Sequence, residues 1–348
     1  MSKILTVTIP SYNTEKYIDE CLPYLIDERI ISDIEILIVS DGSKDNTVSV
    51  AQKWADKYPD SIRVIDKENG GHGSTINRGI LEATGKYFKV VDGDDWVITE
   101  NFVKLVDYLK QVEVDIINNP YLEHNEETTE ETPMMNLEIS ARNIVEHDQV
   151  IEQIKIPPMH TITYRTSILK DNEIKKKKKM FYVDVEYICY PLPFVKTSVY
   201  LDFPVYVYRT NSGTQSMAIS NMVKNREMHL KMTKHIWNFI TKLPKETNPT
   251  VKKVLTQRFS ELIIAQYVIN LSIPNRTERK SETSYFTTLL KDEHVLNNNE
   301  ILSLSKLLIR TNGSIIKPAV IMRNSLQSNR TWQVIERSIL NSIKRMKK

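Results

Sequence analysis

Only two cysteines, Cys21 and Cys189, occur in the 348 residues, which excludes a disulfide framework and a cysteine-rich metal site. Neither sign of charge dominates. The 47 lysines and arginines stand against 44 aspartates and glutamates, a net charge of +3, too balanced for nucleic acid to be an expected partner. No apolar run is long enough for a signal peptide or a membrane span, and Met1-Ser2-Lys3 leads straight into a strand-like stretch. A cytoplasmic protein is expected, in a reducing compartment, working at most at the inner face of a membrane. The phosphate-loop lysine and the dinucleotide glycine fingerprint are also missing, as is any internal repeat.

What is present is ordinary for a globular chain: 41% hydrophobic and 26% charged residues. The length allows one catalytic domain plus a smaller appendage. Residues 4–9, 34–39, 62–65 and 87–91 read as short buried strands, and residues 15–25, 48–58 and 75–83 have helical spacing of apolar positions. Strand and helix in alternation imply crossover connections, hence an α/β fold with a mostly parallel central sheet flanked by helices. In such sheets the ligand crevice lies beyond the carboxyl ends of the strands. Residues 123–131 hold five glutamates without an apolar pattern and read as a solvated or disordered loop with no function. Apolar segments at 161–164 and 199–208 supply further strands. From about Asn221 strands give way to helical spacing at 222–240, 251–271 and 284–309, so the division expected is 1–220 and a helical C-terminal region, 221–348.

Three local features could carry chemistry. The first is Asp92-Gly93-Asp94-Asp95, where three carboxylates follow a buried strand and would repel one another in a low-dielectric crevice. A divalent cation, manganese or magnesium, relieves this by taking one or two carboxylates and completing its shell with diphosphate oxygens. The structural alternative is that these acids cap the helix beginning near Thr99. The second, Asp41-Gly42-Ser43, ends an inner strand, where Asp41 can accept a hydrogen bond from a base imide or a ribose hydroxyl; an ordinary turn capped by Asp45 or Asn46 explains it equally. The third, Asn69-Gly70-Gly71-His72-Gly73-Ser74, is a glycine-rich turn entering a helix, where backbone N–H groups can face an anion. His72 there either touches a phosphate or caps the turn.

Taken together, Val7-Thr8-Ile9-Pro10-Ser11-Tyr12-Asn13, Ile38-Val39-Ser40-Asp41-Gly42-Ser43, Asn69-Gly70-Gly71, Asn77-Arg78-Gly79 with Ala83-Thr84-Gly85, and Asp92-Gly93-Asp94-Asp95 resemble family 2 glycosyltransferases in order and spacing over residues 4–95. The resemblance implies a GT-A fold and an inverting transfer from a nucleotide sugar, commonly a UDP-sugar, to a hydroxyl acceptor. Residues 1–120 would then bind the nucleotide sugar, and 121–220 would supply the acceptor side and the base. By the same resemblance Pro10, Tyr12 and Asn13 wall the base, and Asp41 bonds uracil. Asn69, His72 and Asn77 line the donor, Asp92 and Gly93 hold the ribose or sugar side, and Asp94 binds the metal. The family places its base in a Glu-Asp pair at a helix start, and Met180-Phe181-Tyr182-Val183-Asp184-Val185-Glu186 matches best, with Asp184 as base. Val183 stands where the Glu is usual, which leaves Glu186 as a competitor. Ser40 and Ile76 also depart from the family's usual Asp and Arg. Tyr206-Val207-Tyr208-Arg209 and residues 211–216 resemble its strand and mobile loop, with Arg209 helping to cover the diphosphate; an exposed strand-end salt bridge accounts for Arg209 almost as well.

Lys175 to Lys179 are either a solvated loop or an attractor for an anionic acceptor, a phosphate-bearing polymer or lipid diphosphate. Residues 330–348 set Trp332, Ile335, Ile339 and Ile343 on one helical face among basic residues, which suits packing on the body or an anionic membrane surface. The C-terminal helices could bind acceptor, dock on membrane or form a homo-oligomer. The expected reaction is a hexosyl or N-acetylhexosaminyl transfer to a glycan, polymer or glycoprotein in bacterial cell-surface polysaccharide, capsule or teichoic acid synthesis. Two competing readings stand beside it. A nucleotidyltransferase would want glycine and arginine in an N-terminal loop, and residues 9–13 have neither. A non-catalytic sugar-binding protein on a decayed transferase domain would not need to retain Asp41, Asp92, Asp94 and Asp184.

Overall fold

The computed structural model describes residues 3–135, 143–154, 156–171, 183–210, 219–317 and 320. The lysine run 175–179, residues 180–182, the loop 211–216 and the segment 330–348 lie outside them. By internal contacts the chain divides into two units, Met1–Gln215 with Pro244–Val254 and Ser216–Leu243 with Leu255–Lys348.

The first unit opens with β1 (Leu5–Ser11), α1 (Glu15–Leu25), β2 (Ile34–Ser40), α2 (Thr47–Lys57), β3 (Ile62–Asp66), α3 (His72–Glu82) and β4 (Tyr87–Val90). It continues with β5 (Trp96–Val97), α4 (Thr99–Gln111), β6 (Ile116–Asn118), β7 (Tyr121–Asn125), β8 (Glu131–Met134) and β9 (Val145–Glu146). Then come α5 (His147–Ile154), β10 (Ile162–Arg165), α6 (Thr166–Asp171), α7 (Val183–Cys189), β11 (Thr197–Tyr200) and β12 (Tyr206–Thr210). The large sheet runs β3-β2-β1-β4-β10-β6-β11-β9, and a smaller one runs β5-β12-β7-β8.

Every residue of β1, β2 and β4 is buried, as expected of parallel strands covered on both faces. Leu5, Val7 and Ile9 join one apolar cluster with Ile36, Ile38 and Phe102, while Thr6 and Thr8 on the other face are also fully buried. The parallel register pairs Ser11 with Ser40, Ser40 with Asp66 and Thr8 with Val90. The carboxyl ends of β1, β2 and β3 therefore stop level, β4 ends three residues short of them, and the turns at 12–14, 41–46, 67–71 and 92–95 emerge at one edge. Because β10 is antiparallel to β4, its leading residue His160 lies at that same edge.

Of residues 123–131, read as a solvated or disordered loop, only the exposed turn 126–130 is one; residues 123–125 and Glu131 belong to the strands of the β7–β8 hairpin, and β7 pairs in parallel with β12 along its whole length. Its stability comes from backbone pairing to β12 rather than from an apolar face, so no alternation of apolar residues marked it.

The second unit contains α8 (Ile219–Lys224), α9 (Arg226–Thr241), α10 (Pro249–Leu271) from Leu255 onward, α11 (Arg276–Asp292) and α12 (Ser303–Thr311), with no strand among the described residues. Its core includes Trp237 stacked on Phe259 with ring centroids 4.7 Å apart, and Tyr267 edge-on to Phe286 at 5.1 Å. Two of the helices expected there are broken. Asn225 separates α8 from α9, its side-chain amide donating to Asn221 O at 3.0 Å. The span 284–309 is interrupted after Asp292, where His294 takes a left-handed backbone conformation (φ 52°) before a short 3-10 turn. Asn275 starts α11 early by accepting from the backbone N–H of Thr277 and Glu278, each at 3.0 Å.

The close approach of α3 to β1 depends on Gly79, because a Cβ there would collide with the Thr8 side chain. We therefore expect Gly79→Ala to destabilise the protein by about 1–3 kcal/mol, the usual cost of overpacking a filled core. Urea unfolding measures this directly; an unchanged midpoint would contradict the packing described.

Candidate active site

The turn after β2 is built around Asp41. Its residue is 3% exposed, and its Oδ1 accepts from Gly70 N at 2.8 Å, from Ser74 Oγ at 3.2 Å and from Lys67 Nζ in an ion pair. Its Oδ2 accepts from Gly71 N at 2.7 Å. Burial opposes ionisation of Asp41, but Lys67 and the two backbone N–H groups outweigh it and hold the pKa below the ordinary value. Asp41 thus fastens the glycine-rich turn to β2, and its remaining acceptor capacity is on Oδ2. Asn69 adds a bond from Nδ2 to Asp41 O at 3.0 Å. Ser40, where the family commonly has Asp, is fully buried and bonds Ser43. Neither Asp45 nor Asn46 is a simple cap: Asn46 stands at the N-cap without a side-chain bond, while Asp45 accepts from Thr47 N at 3.0 Å and Glu15 N at 3.2 Å.

Beside this turn runs the end of β1. Asn13 takes a left-handed conformation (φ 55°) and its Oδ1 accepts from Lys44 N at 2.8 Å, tying the first two strand-end loops together. Tyr12 is 48% exposed, an aromatic face open to a ligand. Asn77 lies half-buried on α3.

The acidic turn sits over Pro10 and Ser11. A Cβ at Gly93 would come 3.1 Å from Pro10 O and 3.2 Å from Ser11 Oγ, so a larger residue would have to push the turn and β1 slightly apart. Its acids do not cap α4, whose N-cap is Ile98 with no side-chain bond; that alternative is removed. Each of the three behaves differently. Asp92 Oδ1 contacts His72 Nε2 at 3.0 Å; burial works against the carboxylate, but the imidazole beside it brings its pKa down. Asp94 is pushed up, by burial first and then by the charge of Asp92. Asp95, 1% exposed, is pushed up furthest by burial and by both neighbours. It spends its carboxylate inside the protein, accepting from Tyr206 OH at 2.5 Å and from Arg209 N at 2.8 Å.

His72 is the meeting point. Burial lowers its pKa, but the hydrogen bond and charge of Asp92, with further negative charge from Asp184 and Asp94, raise it overall. The acidic turn and α7 thus act on one imidazole: Asp92 bonds it, and Asp94 and Asp184 lie near enough for their charge to bear on it. The His72 side chain takes a carboxylate partner, Asp92, rather than capping the turn. Glu186, the competitor for the base, is fully buried and accepts from Tyr190 OH at 3.2 Å, which leaves Asp184, half-buried on the first turn of α7, as the carboxylate of that helix at the crevice.

Arg209 departs from the structural alternative described for it. Its side chain is only 10% exposed, so it is no exposed strand-end salt bridge. Its guanidinium lies over the rings of Tyr17 and Trp96 at 5.0 and 4.8 Å, donates to Asp94 O at 2.7 Å, and pairs with Glu126 and with Glu20 at 3.3 Å. Sequence reasoning also missed the floor of the site. Lys89 is fully buried with its pKa lowered to about 7 by burial, donating to His160 O at 2.8 Å, and the His160 ring packs against Tyr121, Tyr206 and Tyr208. A lysine inside the strand 87–91 was the one signal available for this.

Asp94 is also the residue that fits a divalent metal. Among the described residues its carboxylate has no side-chain hydrogen bond or ion pair, and the nearby charge of Asp92 makes a cation favourable there. No group of three or more His, Cys, Asp or Glu that could hold a metal ion is gathered among the described residues.

Residues 6–172 match the family model described as glycosyl transferase family 2, and this part of the chain is a family 2 glycosyltransferase domain. The chain is 33% identical over 155 residues to the glycosyltransferase EpsJ of Bacillus subtilis, covering 44% of each. It is 29% identical over 171 residues to the minor teichoic acid biosynthesis protein GgaB of Bacillus subtilis, covering 48% of this chain and 18% of that protein. The matched stretch spans less than half the length of these relatives. Among solved structures, residues 1–349 of S. aureus TarS in complex with UDP-GlcNAc superpose with a TM-score of 0.65 at 16% identity, covering 94% of this chain and 93% of the other. That likeness establishes the fold as the GT-A type implied by the sequence, with its mostly parallel central sheet and helical C-terminal region. No helix among the described residues is long and apolar enough to cross a membrane.

The Asp41 fastening has a pH signature. Its pKa is lower folded than unfolded, so its contribution is complete above the ordinary aspartate value of 3.8 and is lost as pH falls through the folded value. Asp41→Asn should cost about 3 kcal/mol at pH 7, as when one partner of a buried pair is removed. Urea midpoints of the variant and the parent should converge toward pH 3; a constant gap would contradict the assignment.

Proposed function

We propose that this chain is an inverting glycosyltransferase that moves a sugar, hexosyl or N-acetylhexosaminyl, from a UDP-sugar to a hydroxyl of a cell-surface polymer such as teichoic acid. The observation that supports the reading most is the His72–Asp92 contact at the carboxyl edge of the parallel strands, with Asp94 in the same turn and Asp184 near enough to act on His72 by its charge. Like charges gathered there are stable only if a ligand brings compensating charge. The TarS complex supports UDP-GlcNAc as the type of donor, and the name of GgaB supports a teichoic acid context.

In this reading Tyr12 and the Pro10 to Asn13 turn wall the base, Asp41 offers Oδ2 to the uracil imide, and Asn69 and Asn77 line the donor. Asp92 and Gly93 face the ribose and sugar, with His72 fixing the Asp92 carboxylate. Manganese or magnesium held by Asp94 would stabilise charge on the departing diphosphate. Asp184 takes the proton of the acceptor hydroxyl as its oxygen forms the bond to the anomeric carbon. The bond from that carbon to phosphate oxygen breaks, and its electron pair leaves with the nucleoside diphosphate. Arg209, committed to Glu20 and Glu126, acts on the diphosphate only through Asp94.

The test is incubation with a panel of nucleotide sugars, manganese and a polyol-phosphate acceptor, with detection of released nucleoside diphosphate. Release that chelation abolishes supports the reading, whereas pyrophosphate released from a triphosphate supports a nucleotidyltransferase. Asp184→Asn should bind donor as the parent does and turn over about a hundredfold more slowly or worse. Asp94→Asn should lose metal-dependent donor binding as well. Turnover unaffected in Asp184→Asn would remove that residue from the base role.

A further inference from the structure

The acidic turn is held in place by a strand more than a hundred residues away in sequence. The Tyr206 hydroxyl accepts from Asp92 N at 3.2 Å and donates to Asp95 Oδ2 at 2.5 Å. Three residues along β12, Arg209 N donates to Asp95 Oδ1 at 2.8 Å and its Nε donates to Asp94 O at 2.7 Å. The grip is on the backbone of Asp92 and Asp94 and on the side chain of Asp95. It leaves the carboxylates of Asp92 and Asp94 outside the clasp.

Tyr206 is itself fixed. It is 1% exposed, the His160 ring lies 5.1 Å from its ring, and Lys89 Nζ lies 5.7 Å from its centroid. Pairing of Tyr206 with Val97 and Val207 with Trp96 joins β12 to the strand that leaves the turn. The hydroxyl therefore has one place to be. The bond from the Tyr206 hydroxyl to the Asp95 carboxyl is short, 2.5 Å, and lies out of water.

We propose that Tyr206 and Asp95 are positioning residues of the transfer reaction: through the Tyr206 hydroxyl, β12 sets the orientation in which Asp92 and Asp94 receive the metal-bound donor, and Asp95 is a structural acid that touches neither. This rests on the glycosyltransferase reading above and assigns two of its residues. Arg209 completes the clasp from the other end of the strand.

A matched control exists in the same domain. Tyr87 is fully buried, and its hydroxyl likewise donates to one backbone group, Val112 O at 2.9 Å, and accepts from another, Val114 N at 3.3 Å. It does so at the opposite end of β4, away from the acidic turn. Tyr87→Phe and Tyr206→Phe each remove one donated and one accepted bond of a fully buried tyrosine, although only Tyr206 donates to a carboxylate, that of Asp95; a purely structural role predicts lost stability in both and weakened donor binding in neither.

The full chain and both variants are titrated calorimetrically with UDP, GDP, CDP and dTDP in the presence of manganese, and KM and kcat are measured for the preferred nucleotide sugar. The clasp predicts that Tyr206→Phe weakens nucleoside diphosphate binding and raises donor KM by about tenfold or more, the range for a buried group left without its bond. Tyr87→Phe should stay within about twofold on both, as substitutions remote from a site do. Equal behaviour of the two variants overturns the inference while leaving the proposed function intact. A parent chain that binds none of the four diphosphates overturns both. Should Tyr206→Phe not fold, Asp95→Asn decides by the same readouts, weaker binding supporting the clasp and parental binding refuting it.

Discussion

Three carboxylates in one four-residue turn, largely withdrawn from water, are the constraint around which the first unit is arranged. Mutual repulsion would open such a turn if nothing opposed it. The protein deals with each acid separately. Asp95 is given hydrogen-bond donors and buried, Asp92 is given His72, and Asp94 keeps a raised pKa and, among the described residues, no side-chain hydrogen bond or ion pair. In the proposed function, that asymmetry is what would favour a metal-bound diphosphate at Asp94.

This arrangement depends on the register of the parallel strands. The in-register pairing of β1, β2, β3 and β4 brings the turns to one edge, and Gly93 and Gly79 allow the acidic turn and α3 to close on β1. The small sheet then supplies what the large one cannot. Through β12 it reaches the acidic turn, and through the β7–β8 hairpin it presents Glu126 to Arg209. Arg209, stacked between Tyr17 and Trp96, ties α1, the hairpin and the turn at one point, so its positive charge serves the scaffold of the site.

The parallel part of the fold was legible because buried strands read as continuous apolar runs and each ended in a recognisable turn. Asp41, Asp92 and Asp94 stood out for the same reason, as acids placed where an apolar strand stops. The second sheet was not legible. Its hairpin is held by backbone pairing, and charged residues on exposed strand faces mimic a loop, so 123–131 gave no signal of its partner at 206–210. Asp95 and Tyr206 are 111 residues apart, and nothing local distinguishes Asp95 from its neighbours; only the fold shows that it faces inward. The base candidates Asp184 and Glu186 were indistinguishable locally; in the fold Glu186 is fully buried and Asp184 half-buried. Lys67 as the partner of Asp41 had no sequence signature at all.

A crystal structure of the full chain with UDP and manganese tests the central claim most directly. The account predicts an anomalous manganese signal bonded to the Asp94 carboxylate and to diphosphate oxygens, with Asp95 still held by Tyr206 and Arg209. A diphosphate bound elsewhere, or a metal ligated by Asp95 with Asp94 turned to solvent, would contradict it.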